Sequence, residues 1–147
     1  ALQFLEAARK GISHSKNNDW LQAYNDFQTA LSFWQGGMPD DTFQSEQVLA
    51  FNDTLTHLLV EIGTIWANSL AESKRYEDAI NIIERILHRN YQEESLTILL
   101  YKLHCRNNNP LKAREILERY KKALLKADYS EEEIEDFIAE IVNATAP

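Results

Sequence analysis

The sequence predicts an all-α fold, a superhelix of helical hairpins with about seven helices. Three observations predict it. The first is the stretch YEDAINIIERILHRNY, Tyr76 to Tyr91. There Tyr76, Ala79, Ile80, Ile83, Ile86 and Leu87 recur at three- and four-residue steps and share one helix face, while Glu77, Asp78, Asn81, Glu84, Arg85 and Arg89 fall mostly on the other. The second is recurrence. A bulky residue, an alanine three on and then large apolar residues return at Pro110, Ala113, Arg114, Leu117 and Tyr120, with Ala113 standing 34 residues after Ala79. The pattern also occurs upstream at Trp20, Ala23, Tyr24, Phe27, Ala30 and Leu31, and Ala23 precedes Ala79 by 56 residues, one 34-residue period with 22 to spare. The third is the scarcity of breaks, with only 4 Gly and 3 Pro in 147 residues.

Taken in order, the first helix runs from Leu2 to about Lys16, with Leu2, Leu5, Ala8 and Ile12 along one side. The polar patch from Ser15 to Asp19 is a turn, and Asn18 or Asp19 suits the cap of the next helix, Trp20 to Trp34. Gly36, Gly37 and Pro39 then stop the chain, because glycine takes the left-handed conformation that ends a helix and proline prevents its resumption. The loop is short and not linker-like. A third helix follows from about Thr42 to Ser73, which at 1.5 Å per residue spans roughly 45 Å. Val48, Phe51, Leu55, Leu58, Ile62 and Ile65 alternate at three and four, and Leu49, Leu59, Trp66 and Leu70 widen that stripe. A sustained seven-residue repeat fits a coiled-coil dimer. The breadth of this stripe favours packing within the chain instead. Gly63 within it suits a close helix crossing.

After the fourth helix, Tyr91 and Gln92 make a turn. The fifth helix covers about Glu93 to Arg106, with Leu96, Leu99, Leu100 and Leu103 inward. Asn109 caps the sixth helix and Pro110 opens it, since proline at the first helical position forfeits no hydrogen bond. That helix reaches about Lys126, where Lys121, Lys122 and Lys126 complement the negative end of the helix dipole. Ser130 and Glu133 form a capping box that opens a last helix, about 130 to 144, with Ile134, Phe137, Ile138, Ile141 and Val142 on one face. The terminal repeat of a stacked array needs its open core covered, and this helix suits that task.

At 147 residues and 44% hydrophobic, the chain is long and apolar enough to bury a core as one domain. No apolar run approaches the length of a membrane span and no signal-peptide pattern opens the sequence. The chain begins at Ala1 with a helix already under way, which predicts a piece of something longer. A net charge of -8 argues against a nucleic-acid grip, which depends on Lys and Arg neutralising phosphates. A single cysteine, Cys105, excludes an internal disulfide and fits a cytoplasmic location.

The 34-residue signature resembles the second helix of a tetratricopeptide repeat, so the predicted architecture is tetratricopeptide-like, with hairpins at about 2–34, 42–90 and 93–127. Ala30-Leu31-Ser32-Phe33-Trp34-Gln35-Gly36 further resembles the Ala-Leu-x-x-Trp-x-Gly of the bacterial transcriptional activator domain, the tetratricopeptide-like module of antibiotic regulatory proteins. Tyr76-Glu77-Asp78-Ala79-Ile80 is similar to that family's second hairpin, Glu94, Leu99 and Tyr101 fall where it carries a Glu and a leucine-rich helix, and Asn108 to Tyr120 resembles its last hairpin. The match covers about Leu5 to Asp128. Three positions depart: Lys74 and Asn108 stand where the family has turn glycines, and Tyr91 where it often has proline.

The resemblance implies an interaction, oligomerisation or signal-receiving domain of a bacterial transcriptional regulator. DNA would be contacted only by a winged-helix domain outside these residues. The partners it implies are proteins: a second copy in a homodimer, other domains of the same regulator, or a peptide or small effector. An autonomous tetratricopeptide-type peptide-binding adaptor unrelated to transcription is the alternative.

No catalytic group assembles in the pattern. No phosphate-binding Gly-rich loop exists, and Asp40-Asp41 reads as turn and cap chemistry. His104 and Cys105 are adjacent, so on a helix they diverge by about 100° and do not share a metal. The expectation is no enzyme, no cofactor and no metal. The groove-lining repeat positions instead nominate Thr64, Asn68 and Glu72, then Ile98, Lys102, Cys105 and Arg106. Lys102 and Arg106 lie one turn apart and Asn68 one repeat before Lys102, an arrangement suited to a partner's carboxylate.

Overall fold

The computed structural model describes residues 2–35, 46–88 and 93–145. These form α1 Leu2–Lys16, α2 Trp20–Gln35, α3 Glu46–Glu72, α4 Tyr76–Leu87, α5 Glu94–Arg106, α6 Pro110–Lys126 and α7 Glu131–Thr145, with no strand among the described residues. The start of the third helix at residues 42–45, the Gly36-Gly37-Pro39 stop, Asp40-Asp41, Arg89 and the Tyr91-Gln92 turn lie outside the described residues, as do the side chains of Trp34, Val48, Leu49 and Phe51. The chain divides into two compact units, residues 1–66 and 67–147.

In the first unit α1 packs on α2. The buried face of α1 is Phe4, Ala7, Ala8, Gly11 and Ser15, rather than the predicted Leu2, Leu5, Ala8 and Ile12. Leu2 is exposed and Leu5 and Ile12 are half-buried. Ala7, Ala8, Gly11 and Ser15 let the two backbones approach, which large aliphatic side chains at those positions would prevent, and Phe4 is the one large side chain buried on that face. Opposite them α2 buries Ala23, Phe27, Ala30 and Leu31. His14 Nδ1 lies 2.6 Å from Asp26 Oδ2 and ties the two helices at the surface. Trp66 of α3 adds aromatic area, with its ring 5.9 Å from that of Phe27 and 6.3 Å from that of Tyr24.

The buried line on α3 is Leu55, Leu59, Ile62 and Trp66, while Leu58 and Ile65 are half-buried. A straight helix turns 3.6 residues per turn, so a strict three-four stripe drifts around it. Three of the residues expected only to widen the stripe, Leu59, Trp66 and Leu70, are therefore buried. Gly63 is buried as well.

In the second unit α4 buries Ala79, Ile80, Ile82, Ile83, Ile86 and Leu87, with Tyr76 half-buried. Glu93 caps α5 by accepting from Leu96 N at 2.6 Å and Ser95 N at 3.3 Å. Leu96, Leu100 and Leu103 are buried as expected, together with Thr97 and His104, and Leu99 is half-buried. Asn109 Oδ1 accepts from Lys112 N at 3.3 Å and Pro110 opens α6. At α7, Ser130 Oγ accepts from Glu133 N at 3.2 Å and donates to the Glu133 carboxylate at 3.1 Å. Buried Ile134 and Ile141 join Tyr120 and Leu124 of α6, with Ile98, Tyr101, Leu117, Phe137 and Ile138 packed around them. Val142 remains exposed. Burial, with the Glu94 carboxylate second, pushes the Tyr120 phenol up to about 12, so it stays neutral in that cluster.

One turn geometry recurs four times among the described residues. Asn18, Lys74, Asn108 and Asp128 have φ of 59°, 60°, 57° and 66°. In each case the next residue's N–H reaches back to the carbonyl five residues earlier: Asp19 to His14, Arg75 to Leu70, Asn109 to His104 and Tyr129 to Leu124. This is a Schellman ending, which satisfies carbonyls that the helix leaves open. Lys74 and Asn108 thus occupy left-handed positions where glycine costs nothing.

Candidate functional site

Thr64 belongs to the first unit, half-buried, with its hydroxyl donating to Val60 O at 2.8 Å. The other nominated residues belong to the second unit. Asn68 and Glu72 are exposed at the end of α3, and Cys105 and Arg106 are exposed on α5. Lys102 is half-buried, one turn before Arg106. Ile98 packs against the α6–α7 cluster. Among the described residues, no hydrogen bond or ion pair joins Asn68, Lys102 and Arg106 to one another.

A second site, which the sequence did not nominate, lies between α4 and α6. It is a cleft of about 260 Å³. Glu77, Ile80, Asn81 and Glu84 line it from α4, and Lys112, Glu115, Ile116 and Arg119 from α6. Both sets have the same spacing of three, one and three residues, which places each set along one helix face. The matching spacing was the available signal, hidden because each charged residue alone reads as solvated surface. Two contacts hold the walls. Arg119 donates through both terminal nitrogens to Glu84, at 2.6 and 3.1 Å. Asn107 Nδ2 donates to Glu77 Oε1 at 2.6 Å.

His104 of α5 also lines this cleft and is only 5% exposed. Its Nδ1 is sealed from solvent and has no hydrogen-bond partner in the protein. Burial pulls its pKa below the usual 6.5, with Glu84 opposing, so the imidazole is neutral at pH 7. Cys105, next to it in sequence, is exposed. Among the described residues no group of three or more His, Cys, Asp or Glu is placed to hold a metal ion.

Helical hairpins with recurring turns and two polar surfaces define a tetratricopeptide-like helical module. Residues 1–140 match the bacterial transcriptional activator domain, and the chain belongs to that family. It is a family of transcriptional regulation rather than of enzymes. No match was found among curated proteins or among solved structures. Among the described residues no helix is long and apolar enough to cross a membrane.

Proposed function

We propose that this chain is the interaction and signal-receiving module of a bacterial transcriptional regulator, working in the cytoplasm and not itself touching DNA. Family membership supplies the regulatory setting. The observation that carries the finer reading is the net charge of -8, which opposes binding to a polyanion and leaves protein or small-molecule contacts as the module's work. Contact with DNA then falls to a domain outside these residues. The surface assigned to a partner is that of Asn68, Lys102 and Arg106, with Glu72 and Ile98 at the other repeat positions of the same unit. Two cations one turn apart on α5 suit a carboxylate from a peptide, from another domain of the regulator or from a second copy.

Fluorescence anisotropy with a labelled random DNA duplex tests the first half, with no binding expected at low salt. Binding that weakens steeply with salt would overturn it. An array of acidic and free-carboxyl peptides tests the second half. The Lys102→Glu, Arg106→Glu double variant should lose the captured peptides, and unchanged capture would overturn the assignment.

A further inference from the structure

We propose that α1 of one copy of this chain docks antiparallel on α7 of a second copy. The surface differs from that of Asn68, Lys102 and Arg106, so it stands or falls apart from the partner assigned there.

Folding leaves at the surface a stripe that periodicity alone would bury. Leu2, Leu5, Arg9, Ile12 and Lys16 recur at three- and four-residue steps and share one face of α1. The helix instead buries the neighbouring face of Phe4, Ala7, Ala8, Gly11 and Ser15. Leu2 is 80% exposed and Leu5 and Ile12 are only half-buried. Arg9 and Lys16 are exposed, with no ion-pair partner among the described residues.

The stripe on α7 is its complement. Glu131, Glu135, Ile138 and Val142 share one face of that helix, at steps of four, three and four. Ile138 is half-buried and Val142 is 42% exposed. Both carboxylates are exposed, again with no ion-pair partner among the described residues. The two helices are opposite in charge as wholes. α1 has three Lys or Arg against one Glu, and α7 has six Asp or Glu and no Lys or Arg.

The order of residues along the stripes sets the direction. Laid antiparallel, Leu2 meets Val142, Leu5 meets Ile138, Arg9 meets Glu135, and Ile12 and Lys16 flank Glu131. Laid parallel, Leu2 and Leu5 would face Glu131 and Glu135, and Arg9 would face Ile138. The apolar pairs supply attraction, while exposed ion pairs, each worth little, set partner and register. The stripes are unlike, so the contact is heterologous and each copy offers both halves of it. One pair of 15-residue helices buries less than a standard interface, and a net charge of -8 on each copy opposes association. The dissociation constant is therefore on the order of 0.1 mM.

The test is sedimentation equilibrium of the 147-residue chain from about 10 μM to about 1 mM. The average mass should climb above that of one chain. Arg9→Glu and Glu135→Arg, both at exposed positions, set like charges opposite each other, and each should weaken association by about tenfold or more. An equal mixture of the two variants should associate again, because each α1 then meets an α7 of opposite charge on the other variant. Lys102→Glu with Arg106→Glu should leave association unchanged. A mass of one chain throughout would overturn the proposal, since any contact of α1 with α7 would then lie within one copy. Single variants that associate like the parent, or a mixture that does not recover, would also overturn it. Loss of association in the Lys102 and Arg106 double variant would overturn it too, by moving the contact to that other surface.

Discussion

A Cβ added at Gly11 of α1 would lie 2.5 Å from both Cδ1 and Cε1 of Phe27 on α2. Phe27 is fully buried, so its ring has nowhere to retreat. Gly11→Ala should therefore destabilise the chain by about 1–3 kcal/mol, as overpacking does elsewhere, even though alanine is the better helix former. Urea unfolding measures this. Phe27→Leu in the Gly11→Ala background should recover part of the loss, and equal stability of Gly11→Ala and the parent would show that the crossing is looser than drawn.

The recurrent turn gives a prediction of opposite sign. Lys74 holds φ at 60°, a region that costs a non-glycine residue about 1–2 kcal/mol. Part of any gain from glycine is returned through the greater freedom of the unfolded chain, about 0.4–1 kcal/mol. Lys74→Gly should thus raise stability by roughly 0.5–1 kcal/mol. Asn108→Gly should gain less, because asparagine tolerates the left-handed region. Thermal melts of the two variants side by side decide it, and a larger gain at Asn108 would contradict the account.

Glu84 and Arg119 link successive hairpins through two hydrogen bonds, but each side chain is about one-third exposed. Solvent screening limits the pair. A double-mutant cycle with Glu84→Gln and Arg119→Gln should give a coupling of about 0.5–1 kcal/mol at low salt, shrinking at high salt. Coupling that ignores ionic strength would mean the contact is not chiefly electrostatic.

His104 makes stability depend on pH. Its folded pKa lies below the unfolded value of about 6.5, so between those two values the unfolded chain binds the extra proton. The stabilisation from keeping His104 neutral is complete above pH 6.5 and is lost as pH falls from there through the lower folded pKa. Denaturant midpoints measured from pH 8 to pH 5 should fall on the acid side. His104→Gln should flatten that part of the slope, whatever its effect at neutral pH. A slope that survives the substitution would place its origin in other groups.

Much of the architecture was legible from local chemistry. Asn109 and Pro110 fixed the start of α6, Ser130 and Glu133 that of α7, and the alanine recurrence at Ala79 and Ala113 aligned the repeats. The left-handed turns were only half legible. Asn18, Asn108 and Asp128 are suited to that conformation, but the lysine side chain is not, and only the turn glycine that the family has in place of Lys74 announced it. What places Lys74 there is its position, 34 residues before Asn108 and 56 after Asn18, the same intervals that separate the alanines.

By itself, the sequence determined what depends on neighbours along the chain: helix identity, caps, the repeat period, the acidic balance and the family. Tertiary structure decided what depends on which faces meet. It turned α1 onto Ala7, Ala8 and Gly11 instead of Leu2 and Ile12, because the approach of two backbones is limited by the bulk between them. It also buried His104 beneath two polar helix faces. Those faces are 35 residues apart in the chain, so no local pattern could reveal that their charges share one cleft.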